Sequence, residues 1–165
     1  MAYTIPSPLT IDDIKTRFLP PPGFDYNKAR EEEEARKAMV KAEVYSILAR
    51  IINDLPGVTS IEVCGYTPSF SYGDRCTHRQ RDPNVNGVNC DDYDERHFDS
   101  YRDGFDPDDY SDEMVDDDTY ALIRAICNGM ADMFEDAFDT DFSVTVSRDK
   151  NGNFIYEIDS YDCGY

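Results

Sequence analysis

No apolar run in the chain approaches the ~18 residues that a membrane span requires. Its opening, MAYTIPSPLT, lacks a basic start leading into an apolar segment, so neither a membrane helix nor a secretory signal is expected. Histidine is scarce, at two residues, and no GxSxG, glycine-rich phosphate loop or HExxH occurs. Cysteine is present at Cys64, Cys76, Cys90, Cys127 and Cys163, an odd number at irregular spacing in a chain too long to need a disulfide framework, which points to a reduced, cytoplasmic protein. Cations are outnumbered: 16 Lys and Arg face 35 Asp and Glu, for a net charge of −19.

That charge is unevenly placed. Residues 1–81 carry 11 acids and 11 bases, so residues 82–165 carry the whole imbalance. Within them, the stretch 82–118 holds 15 carboxylates against Arg96 and Arg102, a net −13. Such a surface repels nucleic acid and anionic membrane, and its natural partners are cations or the basic surfaces of other proteins.

The 165 residues suffice for one domain with a real core. Residues 1–22 read as an extended arm, with Pro6 and Pro8, followed by a short helix over 10–18. Thr10 caps that helix, Asp12 and Asp13 sit in its first turn, and Pro20, Pro21, Pro22 and Gly23 end it. A long helix is predicted over 26–53, with Val40, Val44, Ile47, Leu48, Ile51 and Leu55 as its apolar stripe. Residues 60–66 alternate as a strand, and 75–80 are its return. The stretch 82–118 shows no apolar period and reads as a long acidic loop inserted between the halves of the fold. A second helix is expected over 119–138, with Leu122, Ile126, Met130, Met133 and Phe134 inward. Residues 142–148 and 154–158 form a hairpin on a two-residue Asn151-Gly152 turn, with Phe154, Tyr156 and Ile158 inward. The expected fold is thus α+β: a four-stranded antiparallel sheet from two hairpins, with two helices packed on one face.

Two of these segments carry a resemblance. SIEVCGYTPSFSYGDRCTH and FSVTVSRDKNGNFIYEIDSYDCGY are similar to hairpins of small bacteriophage-encoded proteins of unknown function, over roughly 45 of the 165 residues. The long acidic stretch departs from that group. The resemblance implies a phage-related origin and the hairpin arrangement, and it brings no activity.

Several constellations invite chemistry. The acidic stretch reads either as a solvated loop that raises solubility or as a surface that takes the place of nucleic acid. Duplex DNA carries about one charge per 1.7 Å of axis, and carboxylates spaced along a surface can occupy a groove built for it. The candidate partner contacts are Asp91, Asp92, Asp94, Glu95, Asp99, Asp103, Asp106, Asp108, Asp109, Asp112, Glu113, Asp116, Asp117 and Asp118, with Tyr93, Tyr101 and Tyr110 where bases would stack. Asp82, Asn84 and Asn86 followed by Gly87 match the first half of a calcium loop, but Tyr93 stands where its bidentate Glu belongs. Cys76, His78, Cys90 and His97 could bind zinc, although they lack the paired knuckle spacing of zinc sites. Cys90 with either histidine could be drawn as nucleophile and base, and clustered carboxylates could hold Mg²⁺ for a nuclease. The first lacks an orienting group, and the second has a field of the wrong sign for phosphate. The chain therefore reads as a binding protein without cofactor or catalysis. Its expected role is inhibitory: occlusion of the nucleic-acid site of a host defence or DNA-handling protein in the bacterial cytoplasm. The alternatives are a virion structural or assembly module with a solubilising loop, and a metal-stabilised interaction module.

Overall fold

The computed structural model describes residues 10–68 and 76–162. The expected arm over 1–9, the Gly73-Asp74 turn, Arg75 and Cys163 lie outside the described residues. The chain divides into two compact units, Met1–Ala35 and Arg36–Tyr165.

In the first unit, α1 (Ile11–Phe18) starts on a capping box. The Thr10 hydroxyl accepts from the Asp13 N–H, and the Asp13 carboxylate accepts from the Thr10 N–H at 2.9 Å. None of its residues is buried, and Ile11, Ile14 and Phe18 all stand exposed. Gly23, at φ 83°, turns the chain toward the next helix. The Asp25 carboxylate then accepts from the N–H groups of Asn27 and Lys28, starting α2 (Tyr26–Asp54) where the sequence places it.

In the second unit, α2 buries Val44, Leu48, Ala49, Ile51 and Ile52. Among the described residues the sheet has five strands, one more than expected: β1 (Ser60–Tyr66), β2 (Arg79–Gln80), β3 (Asn84–Val85), β4 (Phe142–Arg148) and β5 (Phe154–Ser160). Their order is β2-β1-β4-β5, all antiparallel, with β3 also pairing β1. Directly opposed residues share a face. Ile61, Val63 and Val85 therefore join Phe142, Val144 and Val146 on one side, in a single cluster with the buried residues of the helices. At Gly65 that side is so tight that a Cβ would lie 2.5 Å from the Phe142 ring and 2.7 Å from His78.

The stretch 82–118 is not a bare loop. It contains β3, α3 (Cys90–Asp99) and a 3-10 turn (Pro107–Asp109), and it places Val85, Val88, Tyr93 and Val115 in the core. Its few apolar residues fail to show a period because each belongs to a different short element. The second long helix is two: α4 (Asp117–Gly129) and α5 (Ala131–Phe138), broken at Met130. The buried phase is Tyr120, Ile123, Cys127, Met130 and Phe134, whereas Leu122, expected inward, is 47% exposed.

The C-terminal hairpin forms in the expected place but turns differently. Asp149 N–H donates to Asn153 O at 2.8 Å, and Gly152 N–H donates to Asp149 O at 3.0 Å. The connection is therefore the three residues Lys150–Asn151–Gly152, of which only Gly152 takes positive φ. The expected inward residues of β5 do face the helix side, opposite Val144 and Val146. The helices do not cover them fully, and Tyr156 and Ile158 remain 44% and 51% exposed.

Candidate acidic interaction surface

The acidic surface is built outward from α3. Asn89 caps the helix by accepting from the Asp91 N–H at 3.0 Å, and Asp91 and Asp92 follow in the first turn, where the dipole favours carboxylates. Tyr93 faces inward. Its ring lies parallel to that of Tyr120, 3.9 Å between centroids and 3° between planes. Its hydroxyl donates to Val85 O at 3.1 Å and accepts from the Val115 N–H at 3.4 Å. Tyr120 donates in turn to Pro83 O at 3.1 Å. Burial raises both phenols above their usual range, so both stay neutral donors.

One turn along, Arg96 is the clamp. Its guanidinium donates to Val115 O and to the Asp117 carboxylate, each at 2.6 Å, with the Tyr93 ring 5.4 Å below it. Arg124 of α4 bridges Asp82 at 2.7 Å and Asp94 at 3.1 Å. Arg81 reaches Asp91 at 3.3 Å, and Arg102 reaches Asp99 at 2.9 Å. The turn beyond α3 is tied back through Tyr110, whose hydroxyl donates to Asp99 at 2.7 Å. That hydrogen bond pushes the phenol up to about 12. Asp106 caps the 3-10 turn, and Asp116 caps α4 by accepting from the N–H and hydroxyl of Thr119.

These contacts sort the predicted carboxylates. Asp91, Asp94, Asp99 and Asp117 are ion-paired, and Asp106 and Asp116 serve as caps. Asp92, Glu95, Asp103, Asp108, Asp109, Asp112, Glu113 and Asp118 stand exposed and make no ion pair among the described residues. Of the three tyrosines, only Tyr101 projects, at 78% exposure. Tyr93 belongs to the core and Tyr110 is half-buried. Phe98, which sequence reasoning passed over, stands 70% exposed beside His97. Its signal was phase: five residues after Tyr93, it falls on the opposite side of a helix.

The metal candidates are not brought together, and among the described residues no group of three or more His, Cys, Asp and Glu is placed to hold a metal ion. Asn86, at φ 56°, and Gly87, at φ 76°, form the turn between Val85 and Val88. The Asn86 side chain is spent on Thr59, Ser60, Gly57 and Glu113. Asn84 donates to Glu62, and Asp82 pairs with Arg124. The calcium-like spacing is therefore a turn signal. Cys76 is exposed, His78 stacks on Phe142, Cys90 lies buried beside Arg81, and His97 meets Tyr101. Burial pushes the Cys90 thiol up, away from thiolate character.

No described helix is long and apolar enough to cross a membrane. No family model matches the chain, and neither the curated proteins nor the solved structures contain a match to it.

Proposed function

We propose that this protein is an acidic binding module that occupies the basic, nucleic-acid-binding site of another protein and occludes it. The observation that carries the reading is the seat of α3. Tyr93, Arg96 and Asp117 lock the helix against the core, so Asp92 and Glu95 project from a fixed scaffold. A disordered acidic tail would lose conformational freedom on docking, whereas a seated helix has already lost it. The unpaired carboxylates at 103–118 extend the same sign of charge along the chain, and Phe98 and Tyr101 add exposed aromatic area. Association would be steered by the field and would weaken as salt rises. A phage-related origin, which is an expectation from the two hairpin sequences alone, would make a bacterial DNA- or RNA-handling protein the partner to try first.

The test compares the native chain with a variant in which Asp92, Asp103, Asp108, Asp109 and Asp112 become Asn and Glu95 becomes Gln. Both are immobilised and exposed to bacterial lysate. The expected result is a nucleic-acid-handling protein retained by the native chain alone, released by raised salt and displaced by duplex DNA. Retention of the same partner by both chains, or by neither, would sink the reading and return attention to a virion assembly role.

A further inference from the structure

β5 ends the sheet and pairs with β4 alone. Tyr161 N–H donates to Asp141 O and Asp149 N–H to Asn153 O. In an antiparallel ladder the bonded pairs alternate, so the backbone groups of Ile155, Glu157 and Asp159 turn toward β4 and those of Phe154, Tyr156 and Ile158 turn outward. Among the described residues nothing pairs with that outer edge. Beside it runs α2. Between helix and strand lies an open trough of about 750 Å³, lined by Ala42, Tyr45, Ser46 and Ala49 on one side and by Phe154 and Tyr156 on the other, with Arg50, paired to Asp54, and Asn53 at its polar end. Tyr45 and Tyr156 meet at 4.6 Å across it.

Proteins blunt exposed edges with proline, bulges or lysine. β5 has none of these over its seven residues. Its one guard is the acid pair Glu157 and Asp159, exposed on the face away from the helices. A free edge beside a helix-walled, mainly apolar trough is the geometry in which an extended peptide adds as a further strand.

We propose that β5 receives an extended segment of a partner protein as a sixth strand, with apolar residues at alternate positions and Lys or Arg between them. The apolar side chains would enter the trough and the cations would lie over Glu157 and Asp159. Charge selects this occupant over a second copy. Two β5 edges would bring these acids against their own kind, on chains that each carry −19.

The test uses the full ¹⁵N-labelled chain and a capped nine-residue peptide of alternating valine and lysine, followed by NMR. The expected result is shifted resonances and at least tenfold slower hydrogen exchange at the amides of Phe154, Tyr156 and Ile158, with those of Ile155, Glu157 and Asp159 already protected. An isomeric peptide with its lysines in one block should bind at least tenfold more weakly. Ile158→Pro removes an outward N–H without touching the β4 ladder and should abolish binding. Glu157→Lys with Asp159→Lys should do the same through charge if the proline variant fails to fold. The proposal is overturned if those amides do not respond at millimolar peptide, if both peptides bind equally, or if shifts fall on 82–118 instead. It is equally overturned if the chain alone doubles in mass and protects the same edge.

Discussion

Tyr93 is the residue on which the acidic surface depends. Tyr93→Ala removes a fully packed ring and should cost about 3–5 kcal/mol in chemical denaturation, the range for deleting a buried aromatic. Tyr93→Phe keeps the stack and leaves the Val115 N–H without its acceptor, so about 1–3 kcal/mol is expected. The two changes also separate folding from binding. If a seated α3 is what a partner recognises, the Phe variant should bind like the native chain and the Ala variant should not, even under conditions where both remain folded. Gly65 makes a contrasting case. Any side chain there must displace the Phe142 ring, and Gly65→Ala should lose about 1–3 kcal/mol by overpacking.

At the scale of elements, α4 depends on its cap. The hydrogen bonds from Thr119 hold the Asp116 carboxyl below the usual carboxylate range. A depressed carboxyl stabilises the fold above its unfolded value of about 3.9, and that contribution is lost as pH falls through the folded value. Asp116→Ala should therefore cost about 1 kcal/mol near pH 6. The gap between variant and native chain should narrow as urea titrations are taken below about pH 4. The Thr10 cap and the bounds of α1 and α2 were legible in the sequence, following from residue types within one turn, whereas the acids at 116–118 do not reveal which of them caps α4. The hairpin of β4 and β5 was legible for the same reason, though Asp149 accepts from the N–H groups of Asn151 and Asn153 and draws the turn out to three residues. What the sequence concealed was tertiary. Tyr93 sits among Asp92, Asp94 and Glu95 and gives no periodic signal; its partners Tyr120, Val85 and Val115, all on other segments, explain why it turns inward. Leu122 was misplaced because a second apolar phase lies one residue away: the buried one, Tyr120, Ile123, Cys127, Met130 and Phe134, runs unbroken through the end of α4 into α5.

For the whole molecule the controlling quantity is charge. Acids without ion pairs crowd residues 92–118, and their mutual repulsion opposes the compact state. Salt should relieve it: raising sodium chloride from about 0.05 to 0.5 M is expected to lift the melting temperature by roughly 2–4 °C, the equivalent of about 1 kcal/mol for a chain of this size. Surface pairs such as Arg36 with Asp136 and Lys37 with Asp139 weaken under the same screening, but exposed pairs contribute little. A fall in melting temperature would show that pairing outweighs repulsion. Binding through the acidic surface should respond oppositely and lose affinity over the same range, so one titration would weigh both effects of one field.

The parallel Tyr93 and Tyr120 rings have an optical consequence. The chain contains no tryptophan, so its near-ultraviolet spectrum belongs chiefly to its 12 tyrosines. Two phenols fixed 3.9 Å apart couple their transitions and should yield a circular-dichroism signal that freely rotating rings would not. That signal joins the acidic stretch to the rest of the molecule. Its loss before the far-ultraviolet signal, during heating or acidification, would report α3 lifting from the core without any label being attached.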